Sequence, residues 1–189
     1  MFYWESPGPE NTLATLNASI QRARQLNIND FVVASLSGET ILQLLQLDQH
    51  LKITCVTHHV GFKGPGIDEM KREDRKMLES RGIRVLTTTH LFAGVDRGIR
   101  NHFGGVYPAE IIASTLRIFG QGVKVAVEIA SMALDAGMIP YGQDVISIGG
   151  SGRGADAAIV IAPAHSQHFF QTEVKEMICM PRVKKRREN

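Results

Sequence analysis

Three stretches carry residue types that could do chemistry together. The first is Ser35-Leu36-Ser37-Gly38-Glu39-Thr40, which follows the apolar run DFVVA and opens a helical pattern. Free N–H groups at a helix N-terminus, joined by hydroxyl donors, make a phosphate site. The same residues also suit ordinary capping by Ser37. The second is Thr57-His58-His59-Val60-Gly61-Phe62, joined further along by His90 in TTTH and His165 after IVIAPA. Imidazoles can line a ligand pocket, hold a metal or serve structure alone. Adjacent His58 and His59 point opposite ways if the chain there is extended. No H-E-x-x-H and no carboxylate-rich partner accompanies them, so no metal is expected. The third is Gly149-Gly150-Ser151-Gly152-Arg153-Gly154-Ala155-Asp156. It looks superficially like a dinucleotide fingerprint, but a strand pattern follows it and not a helix. A strand–loop–strand that closes over an anionic or planar ligand is the better reading. Gly104 and Gly105, after a loop with Arg97, Arg100 and His102, could likewise let backbone approach a ligand or simply make a turn.

Classical catalytic sets are missing from the sequence. There is no Walker A lysine, no G-x-S-x-G elbow and no spaced Ser/His/Asp or Cys/His set. Asp156, Glu39 and Glu128 remain as acid–base candidates. Glu128 lies inside VKVAVEIASMAL, so it is either a buried, paired carboxylate or a residue that reaches the site.

These stretches need a scaffold, and the pattern supplies one. Strands are expected at Phe2–Trp4, Asp30–Ala34, Lys52–Thr57, Arg84–Thr88, Val145–Ile148, Ala157–Ala162 and Glu173–Met180. After the turn SPGPEN, Asn11 or Thr12 caps a helix with Leu13, Leu16, Ile20 and Ala23 on one face. Further helices are expected over Gly38–Leu47, Asp68–Arg81 and, broken near Gly120 and Gly122, Pro108–Ala136, with Gly137 just past its end. Strands alternating with helices predict an α/β fold: a mostly parallel sheet, helices on both faces, and a mixed edge where the last three strands follow one another. Ligands of such sheets bind beyond the carboxyl ends of the strands. Twelve of the 18 glycines (38, 61, 64, 66, 94, 98, 104, 105, 149, 150, 152 and 154) fall in loops expected at that edge.

Composition excludes other classes. The 189 residues are 43% hydrophobic and 21% charged, as in an ordinary globular domain, with no apolar run long enough to cross a membrane. The N-terminus lacks the basic and apolar regions of a signal peptide. Cys55 and Cys179 each sit in apolar runs, which suits reduced, buried thiols and a cytoplasmic location. The charge of +2 is local: the last eight residues carry five Lys/Arg and one Glu, leaving residues 1–181 at −2. One domain over 1–181 and a basic, mobile tail over 182–189 are expected. No aromatics interleave with the tail, which weighs against nucleic acid.

The motifs also carry a resemblance. GVKVAVEIASMALDAGMIPYGQDVISIGGSGRGADAAIVIAP is similar to the closing part of the pyruvate kinase C-terminal domain. The strand–Ser35-to-Thr40–helix segment resembles the part of that domain that holds an effector phosphate. A closer likeness is to stand-alone archaeal and bacterial proteins of the same fold, through Pro7–Thr12, Val32–Thr40, Thr57–Phe62, Phe103–Val106, Lys124–Pro140, Gly149–Ala157 and Pro163–His165. That resemblance implies a three-layer α/β/α sandwich and an FMN site at the sheet edge. It implies no particular reaction, and without the catalytic barrel it does not imply kinase activity. The residues expected around FMN are Ser35, Ser37, Gly38, Glu39, Thr40, Thr57, His58, His59, Gly61, Phe62, Gly104, Gly105, Gly150, Ser151, Gly154, Ala155, Asp156 and His165. The other reading is a sensor module for a small phosphorylated metabolite, in either case within a homo-oligomer.

Overall fold

A computed structural model describes residues 1–184. Seven strands form one sheet: β1 Phe2–Trp4, β2 Asp30–Ala34, β3 Lys52–Val56, β4 Arg84–Leu86, β5 Val145–Gly149, β6 Ala157–Ala162 and β7 Glu173–Pro181. Among the described residues the α-helices are α1 Thr12–Leu26, α2 Glu39–Leu47, α3 Arg72–Ser80, α4 Gly94–Phe103, α5 Pro108–Leu116 and α6 Gln121–Asp135. Strand order is β1-β7-β6-β5-β2-β3-β4. β2 pairs in parallel with β3 and β5, and β3 with β4. β6 runs antiparallel to both β5 and β7, and β1 returns in parallel beside β7. This is the expected α/β fold with a mostly parallel sheet and a mixed edge.

Alternation along the strands explains the layers. Phe31 and Val33 face a core shared with Leu16, Ile20, Ile41, Leu44 and Leu78 of α1, α2 and α3. Val32, between them, faces Ala126, Ile129, Ala130 and Ala133 of α6. A strand buried on both faces must be apolar at every position, as DFVVA is after its first residue.

Several details differ from expectation. Leu13 is exposed, and the buried face of α1 instead includes Thr12, Thr15 and Ser19. α3 begins at Arg72, because Asp68 Oδ1 accepts the Met70 N–H at 3.0 Å and holds the preceding residues in a turn. Gly122 lies inside α6, and Gly120 alone marks the break. α4 was not foreseen, although Val95, Ile99 and Phe103 keep helical spacing along it; Gly94 and Gly98 belong to it, and none of its residues is buried. Of the basic tail, Arg182 and Val183 donate backbone hydrogen bonds to the Trp4 and Glu5 carbonyls, and residues 185–189 lie outside the described residues. No helix among the described residues is long and apolar enough to cross a membrane.

Candidate functional site

The carboxyl ends of β2, β3, β4 and β5 share one edge of the sheet, because these strands are parallel. The loops after them fall into two groups.

The first group follows β2, β3 and β4. The Ser35 amide bonds to the Val56 carbonyl at 3.1 Å, so the phosphate-like turn lies directly beside the end of β3. Ser35 Oγ accepts the Gly38 N–H at 3.0 Å, and Ser37 Oγ accepts the Glu39 N–H at 3.4 Å. Ser35 and Thr40 are buried, while Ser37 and Glu39 are exposed. Gly38 takes φ +82° as the residue before α2, a conformation that favours glycine. The capping reading holds: the serine hydroxyls accept the Gly38 and Glu39 N–H groups of the turn that cradles the positive end of α2. The Glu39 carboxylate beside it works against an anion and for the helix.

Beside this turn the histidines gather. β3 stops at Val56, so strand alternation no longer applies to His58 and His59, and both rings turn toward His90. The His58 and His59 rings lie 5.3 and 5.2 Å from His90. Phe62 packs 3.9 Å from His58 and 5.4 Å from His90. Gly61, with φ +89°, turns the chain so that Phe62 folds back. His58 Nδ1 is 2.8 Å from Glu69 Oε2, and His59 Nδ1 is 2.8 Å from its neighbour's carbonyl at Val60. Thr57 Oγ1 lies 2.6 Å from Thr87 Oγ1, tying the ends of β3 and β4. Burial pushes the His90 imidazole down to about 4, helped by His58 and His59 and opposed by Glu128, so His90 is neutral near pH 7. Glu128 proves to be the buried, paired carboxylate. It bonds to Lys124 one turn earlier and accepts the Phe92 N–H at 2.9 Å, fixing the loop that carries His90. Lys124 lies 5.3 Å over the Phe92 ring, and burial lowers its pKa against the pull of Glu128.

The second group is the β5–β6 loop. Here the expected ligand residues turn inward. Ala155 is 2% and Asp156 0% exposed. The Ala155 N–H bonds to Thr12 Oγ1 at 3.0 Å, and Asp156 Oδ2 accepts the Ser151 N–H at 3.2 Å. Asp156 Oδ1 is buried without a hydrogen-bond partner, against Gly122 at the start of α6. Burial raises the pKa of this carboxyl. A Cβ on Gly149 would overlap the Gly122 carbonyl, one on Gly150 the Gly154 carbonyl, and one on Gly154 the Thr12 hydroxyl. Gly150 and Gly154 are thus packing glycines, and Ala155 and Asp156 are closed to a ligand in this arrangement. Ser151 is half-buried, and only the tip, Gly152 and Arg153, is exposed.

Of the remaining expected residues, His165 lies elsewhere. β6 is antiparallel to β5, so His165 emerges at the opposite edge, bonded to Asp135 at 2.9 Å and stacked on Tyr141. Four histidines on one edge were expected, and three are there. Gly104 and Gly105, with φ +77° and +89°, turn the chain from α4 into α5. Arg100 pairs there with Glu110 at 2.7 Å. Among the described residues no group of three or more His, Cys, Asp or Glu could hold a metal ion. Both cysteines are free and buried, and burial raises Cys55 to about 12 and Cys179 to about 11, leaving them unreactive as nucleophiles. Glu69 was missed from sequence. It lies in the charged run DEMKRED, eleven positions from His58, with no periodic signal to link them.

Comparison with known proteins settles the family. The model of the pyruvate kinase alpha/beta domain matches residues 13–161. The chain belongs to that family. Among solved structures, a pyruvate kinase from Cryptosporidium parvum aligns over 79% of this chain and 22% of that chain, at 12% identity and a TM-score of 0.41. A Cryptosporidium parvum pyruvate kinase in complex with ADP aligns over 79% and 22%, at 14% identity and a TM-score of 0.40. The pyruvate kinase α/β-domain chain described here thus spans about a fifth of the length of those enzymes.

Proposed function

We propose that this protein binds FMN at the edge formed by the ends of β2, β3 and β4. The observation that carries the reading is the adjacency of an amide-rich turn, Ser35–Thr40, to an aromatic cluster of His58, His59, Phe62 and His90. A phosphate needs the first and a flat heteroaromatic ring needs the second. On this reading Ser35, Ser37, Gly38 and Thr40 hold the phosphate, and Phe62 with the histidines flanks the ring. The neutral His90 suits a ring face better than an imidazolium would. FMN supplies electron transfer when bound, and the chain's residues bind it, orient it and limit water. An oxidoreductase follows if a donor can reach the ring.

The purified protein should be yellow after desalting, or should quench flavin fluorescence on titration with FMN and far less with riboflavin, which lacks the phosphate. A colourless protein that ignores added FMN overturns the reading. A second reading is a sensor of another phosphorylated metabolite, favoured by the α2 cradle, whose geometry asks only for a phosphate. A thermal-shift series with sugar phosphates and nucleotides separates the two. We also propose a homo-oligomer. α4 buries no residue, and Phe103, Ile111 and Ile118 nearby are exposed, leaving apolar surface for a second copy. Light scattering checks it.

A further inference from the structure

We propose that His58 and Glu69 form an acid–base dyad that exchanges a proton with the planar group bound over Phe62, which rests on the ligand placement given above. His58 Nδ1 and Glu69 Oε2 are 2.8 Å apart. An ionised carboxylate only accepts, so Nδ1 carries the hydrogen and Nε2 is left as the exchange atom.

The support around Glu69 is built and not incidental. Asp68 holds the Met70 N–H, and Met70 is anchored in the core at 2% exposure. Arg75 of α3 bridges Asp68 Oδ2 at 3.2 Å and Thr87 Oγ1 at 2.8 Å. Thr87 in turn meets Thr57, the residue before His58. The network therefore closes into a ring from His58 through Glu69 and back to Thr57. The His58 and Glu69 side chains are 33% and 20% exposed, reachable by a ligand yet held in place.

Of the three clustered imidazoles, His58 is the one with a carboxylate partner. His59, on the same loop, bonds only a carbonyl. His90, from the β4–α4 loop, is kept neutral by burial. Behind it, Glu128 of α6 is engaged by Lys124. Arg75 of α3 is engaged by Asp68 and Thr87. An imidazolium at His58 thus has a hydrogen-bonded carboxylate, which His59 and His90 lack. Packing against Phe62 alone would require no such partner. The step is simple: Nε2 gives its proton to a ligand heteroatom, His58 becomes neutral and Glu69 stays ionised, and Nε2 then takes a new proton from solvent. The ligand class is a planar group that gains or loses a proton as it reacts, such as a nitrogen heteroaromatic or an enolisable carbonyl.

Two measurements test this. Nitrogen-15 NMR of the ligand-free protein should show neutral His58 in the Nδ1–H form, and Glu69→Ala should move it toward Nε2–H while the fold is retained. A Nε2–H form in the wild type, or no change in the variant, overturns the dyad. Glu69→Gln keeps an acceptor and should keep the Nδ1–H form. With FMN bound, the potential of the flavin should change slope with pH in the wild type, and His58→Gln should remove that break. An unchanged profile in His58→Gln overturns the proton exchange. If FMN does not bind, the functional reading above fails, while the tautomer measurement still decides the dyad.

Discussion

The two halves of one sheet edge have opposite characters. Beyond β5, the loop is packed shut: Ala155 and Asp156 are buried, and Gly149 and Gly154 allow contacts that no side chain could share. Beyond β2, β3 and β4, the loops present hydroxyls, amides and four rings, with Ser37, Glu39, Val60 and Phe62 exposed. Both halves are rich in glycine and polar residues, so composition does not distinguish them. The difference is what the backbone meets. In the closed half Gly149 and Gly150 face backbone carbonyls and Gly154 the Thr12 hydroxyl, and in the open half Gly61 faces little beyond the Gly64 carbonyl. A glycine loop at a ligand edge is therefore a packing device in one place and a turn around a site in another.

That contrast can be broken by substitution, and the largest effect belongs to the closed half. Gly149→Ala drives a methyl into the Gly122 carbonyl and toward the Ala126 amide at 3.0 Å. Both are backbone, so neither can rotate away, and a loss of about 3 kcal/mol is expected in urea unfolding, as for overpacked cores. Flavin affinity per folded molecule should not change. If Gly149→Ala is neutral for stability, the closed half is looser than described.

The next effect is pH dependence in the open half. The native His90 value, about 4, lies below the ordinary 6.5 because of burial. The unfolded chain therefore binds the extra proton first. Stability from this group is full above pH 6.5 and is lost as pH falls toward 4. Partial exposure reduces the effect to about 1–2 kcal/mol. Comparing unfolding of wild type and His90→Gln across pH 4–7 should isolate it, with the variant showing the flatter curve.

Ser35→Ala should cost about 1 kcal/mol, since the Gly38 amide loses its acceptor in a buried turn. It should also weaken FMN, read by fluorescence titration. Ser37→Ala is the smallest change, within about 0.5 kcal/mol because Ser37 is exposed and its bond is long. Its effect on FMN should exceed its effect on stability. If Ser35 and Ser37 lower stability alone and leave FMN untouched, the turn is a cap and nothing more.

Much of the scaffold is legible along the chain. FVVA and AAIVIA are strands because apolar residues run unbroken, as burial on both faces demands, and KITCV because it is β-branched and buried after Lys52. Gly137 ends α6 at φ +67°. Ser35–Thr40 is legible for the same reason, since capping chemistry is local. α4 is not, because its two glycines weaken a helical reading even though Val95, Ile99 and Phe103 keep helical spacing. The antiparallel direction of β6 fits the mixed edge expected of consecutive strands, and it sends His165 to the far edge, away from the other histidines.

The sequence by itself therefore determined the element types apart from α4, the layering and the amide-rich turn, all set by contacts within a few residues or by burial pattern. Tertiary structure decided which residues share the site. It brought Glu69 to His58 across eleven positions and gathered His58, His59 and His90 on Phe62. It also turned Asp156 inward against Gly122. Those outcomes depend on strand order, strand direction and close packing between elements distant along the chain, and no local pattern encodes them.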